Sequence, residues 1–156
     1  MMDYLDAILI GIAVFATAAT GGIFAPGPWY EQLEKPGWTP PNWAFPVVWT
    51  VLYIMIGYAG WLVWRADGAG LAFGFWIAQL VFNGAWSWIM FGLKKIGLAL
   101  VDAFLMLITI LGFMMFAEPI SSTAVWLFVP YLVWVCTAIA LNFEVLRRNP
   151  EAARAG

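Results

Sequence analysis

The chain has 156 residues, of which 64% are hydrophobic and 10% charged, with a net charge of −2. A soluble domain of this size needs far more charge to cover its surface, whereas a bilayer solvates apolar side chains and penalises charged ones. With no histidine and one cysteine, the chain cannot build a Ser-His-Asp or Cys-His nucleophile system, a His-ligated metal or haem, or an intrachain disulfide, and no basic run points to nucleic acid.

A membrane span needs roughly 20 mostly apolar residues. The first stretch that qualifies runs over about 6–25. Its flank carries Asp3 and Asp6 where a signal peptide carries Lys or Arg, so a retained helix is expected. A long connection follows, about 26–43, with Pro26, Pro28, Pro36, Pro40 and Pro41 interleaved with Trp29, Trp38 and Trp43. Proline fixes φ and removes donors, and disordered segments avoid aromatics. The segment is therefore expected to be a semi-rigid, non-helical, ordered lid; an interfacial aromatic belt is the competing role.

The second span is about 44–65 and presents Trp49 and Tyr53 at i, i+4. Ala66-Asp67-Gly68 is a tight turn into the third span, about 69–92. There Gln79, Asn83 and Trp86 share one helix face, and Gly70, Gly74, Ala78 and Ala85 fall on roughly the opposite one. Polar groups in hydrocarbon face protein or water, so the first face should point into the bundle. The small-residue face permits close helix approach, either within the chain or to the same span of a second subunit.

Leu93-Lys94-Lys95 turns into the fourth span, about 96–117, which carries Asp102 more than a turn inside. An intramembrane carboxylate is a functional candidate. With no second buried carboxylate or histidine to relay a proton, an interhelical hydrogen bond to the Lys94-Lys95 region or a tryptophan N–H is the preferred role. Glu118-Pro119 breaks the chain before the fifth span, about 122–146. That span offers Trp134, Ala138 and Leu141 at i, i+4, i+7, and Cys136 is expected there as a small buried hydrophobe. Large aromatics beside a small alanine line a slot for a flat, apolar ligand. Lys35, Lys94, Lys95, Arg147, Arg148 and Arg154 lie on one side of these spans and Arg65 on the other. The C-terminus and the first loop are thus expected to be cytoplasmic; the rule speaks for an inner membrane or an equivalent insertion route and leaves inner versus outer bacterial membrane open.

The run Trp29-Tyr30-x-x-Leu33-x-Lys35-Pro36-x-Trp38-x-Pro40-Pro41-x-Trp43-x-Phe45-Pro46-x-Val48-Trp49-x-x-Leu52-Tyr53 closely resembles the signature of the translocator protein family, the tryptophan-rich sensory protein and peripheral benzodiazepine receptor group, in its bacterial type. Asn83-x-x-Trp86, Phe91-Gly92, Ala99-Leu100-Val101-Asp102, Pro130-Tyr131-Leu132-x-Trp134 and Leu141-Asn142 extend the resemblance over nearly the whole chain. It implies an all-α integral membrane bundle of five transmembrane helices, commonly a homodimer. It implies binding of protoporphyrin-type tetrapyrroles and benzodiazepine-site ligands in a pocket closed by the first loop. The pocket would include Trp38, Phe45, Trp49, Tyr53, Asn83, Trp86, Trp134, Ala138 and Leu141. No cofactor is required; the porphyrin is the ligand.

Many family members also bind sterols through a motif that here reads Leu141, Phe143, Arg147, with phenylalanine in place of tyrosine and Glu144 beside it, so sterol binding is expected to be weak. A receptor or regulator linked to tetrapyrrole metabolism or stress signalling is the reading this supports. The alternatives are a small-molecule transporter and a light-dependent porphyrin-degrading protein, with Trp134 as the candidate for photochemistry. A small drug/proton exchanger would need a titratable carboxylate in an early span, and the first span has none beyond Asp6.

Overall fold

The computed structural model describes residues 2–155, whose regular structure is all helical, with no strand among them. The helices are α1 (Met2–Ile23), α2 (Pro28–Glu31), α3 (Ala44–Asp67), α4 (Leu71–Ser87), α5 (Ile96–Ala117), α6 (Ser122–Arg148) and α7 (Pro150–Ala155). Four are long and apolar enough to cross a membrane: α1 from Tyr4, α3, α5 and α6. The third predicted stretch is built differently. Its 17-residue α-helix runs directly into a 5-residue π-helical turn, Trp88–Gly92. At about 1.5 Å per residue, α4 alone is roughly 26 Å long, and the π turn carries the chain on from there.

The long helices pack as a ring: α4 lies against α1 and α5, α5 against α6, α6 against α3, and α3 against α1. The outward side chains of the ring are apolar too, as a surround of lipid rather than water requires. Ile54, Ile77, Val81, Ile108 and Val133 are all exposed on outer faces. The first helix is the most loosely held, burying a single stripe of Ile10, Val14 and Thr17 at i, i+4, i+7. Cys136 corrects the sequence expectation. It lies exposed on the outer face of α6, because Tyr131, Val135 and Asn142 take the inner face.

Two aromatic side chains of α4, Trp76 and Phe75, serve as packing wedges. A Cβ at Gly60 of α3 would overlap the Trp76 indole, and one at Gly112 of α5 would overlap the Phe75 ring. The missing side chains are thus the notches into which α4 sets its aromatics. Trp76 is 1% exposed and its Nε1 donates to Ile56 O at 2.9 Å. This keeps an indole N–H satisfied inside the bundle.

The connections follow local chemistry. Gly68 ends α3 at φ 61°, a left-handed position that favours glycine, with its N–H on Trp64 O. Ser121 caps α6 through Oγ, which accepts from Ala124 N–H at 3.3 Å. The first loop differs from its non-helical expectation. Pro28 opens one helical turn, α2, because proline's fixed φ suits the first helical position, where no N–H is needed. Tyr30 and Leu33 anchor this half of the loop in a second cluster with Ile89, Met90, Ile96, Ala99, Leu141 and Val145. Burial there pushes the Tyr30 phenol above its ordinary range, so it stays neutral.

Candidate functional site

The polar face expected on the third span points inward. Gln79 is fully buried and Asn83 nearly so. In hydrocarbon these amides need partners, and α3 and α6 supply them as phenols. Tyr53 Oη donates to Asn83 Oδ1 at 2.7 Å, and Asn83 Nδ2 donates to Tyr131 Oη at 2.8 Å. Tyr131 Oη then donates to Gln79 Oε1 at 2.9 Å, and Gln79 Nε2 to Trp76 O at 2.9 Å. Each group donates once to the next, so the chain runs in one direction and fixes both amide orientations. It ties α3, α4 and α6 at one level.

Above this chain stands a set of rings. Trp49 stacks on Tyr53 at 5.4 Å between centroids, one turn along α3. Its edge contacts are Tyr131 at 6.1 Å and Trp134 at 6.4 Å. Phe45 meets Trp134 edge-on at 5.8 Å. These separations lie in the range of aromatic contact. A flat ligand can therefore sit between Trp49 and Trp134 only after the rings part. Two recesses lie elsewhere, in the seam of α1 and α4. One of about 220 Å³ is lined by Ala13, Thr17, Trp76, Ile77, Leu80 and Val81. A second of about 230 Å³ runs on to Asp6, Leu9 and Trp64. Neither touches a residue expected in the slot.

Trp86 belongs to an adjoining group. Its Nε1 donates to Asn142 Oδ1 at 3.2 Å, and Asn142 Nδ2 donates to Ile96 O at 3.0 Å. One carboxamide thus joins α4, α5 and α6. Trp86 also meets Phe91 edge-on at 5.5 Å, and Phe91 meets Tyr30 edge-on at 5.3 Å. Leu141 is buried in the same cluster, beneath the first loop, while Ala138 is half-buried on α6 between this group and Trp134.

Of the expected pocket residues, Phe45, Trp49, Tyr53, Asn83 and Trp134 form one linked set of ring contacts and hydrogen bonds that reaches Tyr131 through Trp49 and Asn83. Trp86 and Leu141 lie in the neighbouring cluster. Trp38 is 51% exposed, on the outer half of the loop. The sterol-motif residues divide between faces: Leu141 is buried, Phe143 is exposed, and Arg147 is exposed with Nη2 on Glu144 Oε2 at 2.9 Å. Of the small-residue face, Gly74 points outward with nothing near its Cβ position, and Ala78 is half-buried. Gly70 lies against the Asp67 carboxylate, and Ala85 packs into the Trp86–Phe91 cluster. Asp102 is buried, and its Oδ2 has no hydrogen-bond partner among the described residues.

Tyr131 and Asn142 are the site residues that spacing arguments missed. Both stand in quoted motifs, and a tyrosine or asparagine inside a 20-residue apolar run signals a buried hydrogen bond. Comparison with known proteins places the chain among relatives. The sequence profile of the TspO/MBR family matches residues 7–148. The chain is 39% identical to a tryptophan-rich sensory protein of Cereibacter sphaeroides, over 97% of this chain and 98% of that one. It is 37% identical to protein CrtK of Rhodobacter capsulatus, over 89% of each chain. It is also 37% identical to the human translocator protein, over 78% of this chain and 75% of that one.

Proposed function

The chain belongs to the TspO/MBR family and is a multi-pass integral membrane protein; on that footing we propose that it is a membrane receptor or regulator whose ligand is a flat, hydrophobic tetrapyrrole of the protoporphyrin type. Relatives named for sensing and for translocation support a role in recognition rather than in lipid structure. The observation that carries the reading is the aromatic set Phe45, Trp49, Tyr53 and Trp134 standing over the Tyr53–Asn83–Tyr131 chain. Rings offer faces to a macrocycle. The Asn83 carboxamide spends one N–H and one acceptor position in the chain, so a second N–H remains for a polar group of the ligand. Benzodiazepine-site ligands, which are also flat and apolar, would compete for the same slot, and sterol binding would be weak because Leu141 and Phe143 face opposite ways.

We count α4 with its π turn as a fifth span. The first loop and the C-terminus then share the side rich in Lys and Arg, the cytoplasmic one. The outward strip at Gly74 is where a second copy would pack closely. Gly74→Leu is expected to reduce the dimer fraction in bilayers, measured by single-molecule photobleaching. An unchanged fraction would leave the strip as a lipid-facing surface.

The ligand reading is tested by Ala138→Phe. Phenylalanine beside Trp134 fills the slot without breaking a hydrogen bond, and overpacking of this kind blocks a ligand before it unfolds a bundle. Protoporphyrin IX affinity, from fluorescence titration, should fall about tenfold or more, equivalent to about 1.4 kcal/mol. Equal affinity in a folded variant would remove α6 from the site.

A further inference from the structure

The two halves of the first loop are held in different ways. Residues 28–36 form a docked knot in which Tyr30, Leu33 and Pro36 are buried. Lys35 Nζ draws the knot together by donating to Tyr30 O at 2.6 Å, Leu33 O at 2.9 Å and Glu31 O at 3.2 Å. Residues 37–43 form an outer flap. Their hydrogen bonds are local, Thr39 N–H and Oγ1 to Pro36 O and Ala44 N–H to Pro41 O. Trp38 and Trp43 in this flap are exposed.

One side chain ties the knot to the far end of the chain. Asn149, the residue that closes α6, accepts from Glu34 N–H through Oδ1 at 2.9 Å. Its Nδ2 donates back to Glu34 O at 2.9 Å, and to Val145 O at 2.8 Å. The carboxamide therefore pairs with the Glu34 backbone as a second strand would, while its other N–H holds it on the helix end. Asparagine alone has this set at this length: aspartate lacks both donors, and glutamine adds a methylene. The exposed Glu34 side chain takes no part in either bond.

We propose that Asn149 is a latch for the first loop, holding residues 28–36 on the bundle and thereby setting how long a ligand stays in the slot. The second half of the proposal rests on the ligand reading above, and the first does not. Mechanical continuity runs from the latch to the slot's neighbour: the knot's Tyr30 supports Phe91, and Phe91 supports Trp86. Lifting the knot withdraws one side of that support. Because Asn149 leads directly into α7, which packs on α5 and α6, any partner that displaces the C-terminal helix would also work the latch.

Hydrogen exchange on Asn149→Ala, Asn149→Asp and Glu34→Ala tests this, with protoporphyrin IX dissociation followed by stopped flow. Both Asn149 variants should exchange about tenfold faster in the peptide covering residues 28–36. They should also release porphyrin several-fold faster, with α4 still protected as proof of folding. Glu34→Ala should match wild type in both readouts. Unchanged exchange in both Asn149 variants, or equal acceleration in Glu34→Ala, overturns the latch. Faster exchange with unchanged dissociation overturns the control of retention alone. If wild type binds no protoporphyrin IX, the ligand reading falls and the exchange result alone decides the latch.

Discussion

Gly60→Leu is expected to destabilise the bundle by about 3 kcal/mol, because a branched side chain must occupy the volume of the Trp76 indole. Trp76 cannot step aside cheaply. It is 1% exposed, it stacks on Phe73 at 5.0 Å, and its Nε1 is bonded to Ile56 O. Moving the ring breaks that bond and leaves an indole N–H and a carbonyl to find partners in a region without water, at about 1 kcal/mol or more. Hydropathy rises with the substitution, so insertion into the membrane is unaffected and the loss appears in packing. Gly60→Ala should have the same sign and a smaller size, and should be nearly silent in a Trp76→Leu background. Gly74→Ala, with open space at its Cβ position, is the neutral control. Thermal unfolding in detergent reads all four. A Gly60→Leu protein that melts with wild type would refute the wedge.

Tyr131→Phe is expected to cost about 2 kcal/mol. The hydroxyl is the middle of the polar chain, accepting from Asn83 Nδ2 and donating to Gln79 Oε1. Deleting it leaves two buried amide groups unpaired at once, about 1 kcal/mol each on the scale measured for hydrogen bonds inside membrane bundles. Tyr53→Phe removes a single bond from the end of the chain, which leaves only Asn83 Oδ1 to be resatisfied. It should cost about half as much. The double variant should fall short of the sum, since the two hydroxyls share Asn83. Additive losses would mean that the two tyrosines act independently and that the chain is not a unit.

Four of the expected spans were legible because hydropathy over roughly 20 residues is set by the bilayer and not by tertiary detail. The fourth expected span, 96–117, coincides with α5, and the second and fifth agree with α3 and α6 to within two residues. The third misled in one respect. Periodicity registers apolar content, and it does not distinguish an α-helix from the π turn that ends this stretch at Trp88–Gly92. Within the site, local spacing succeeded where the partners share a helix: Trp49 and Tyr53 do stack, and Gln79 and Asn83 do face inward. It failed where a partner comes from elsewhere in the chain. Nothing near Gly60 announces Trp76, and nothing near Glu34 announces Asn149, 115 residues away. Ala85 shows the limit of face arithmetic. It shares a stripe with Gly74, yet the π turn and the docked loop cover that end of α4, so it packs inward.

The proposed entry of a flat, apolar ligand between the rings of α3 and α6, over the Tyr53–Asn83–Tyr131 chain, is tested most directly by titrating the purified protein with protoporphyrin IX while following tryptophan emission, and then adding a benzodiazepine-site ligand as competitor. Saturable quenching at one equivalent per chain, reversed by the competitor, is the expected result. Quenching that rises linearly without saturation, unchanged by the competitor and equal to that of an unrelated tryptophan-containing membrane protein, would contradict it.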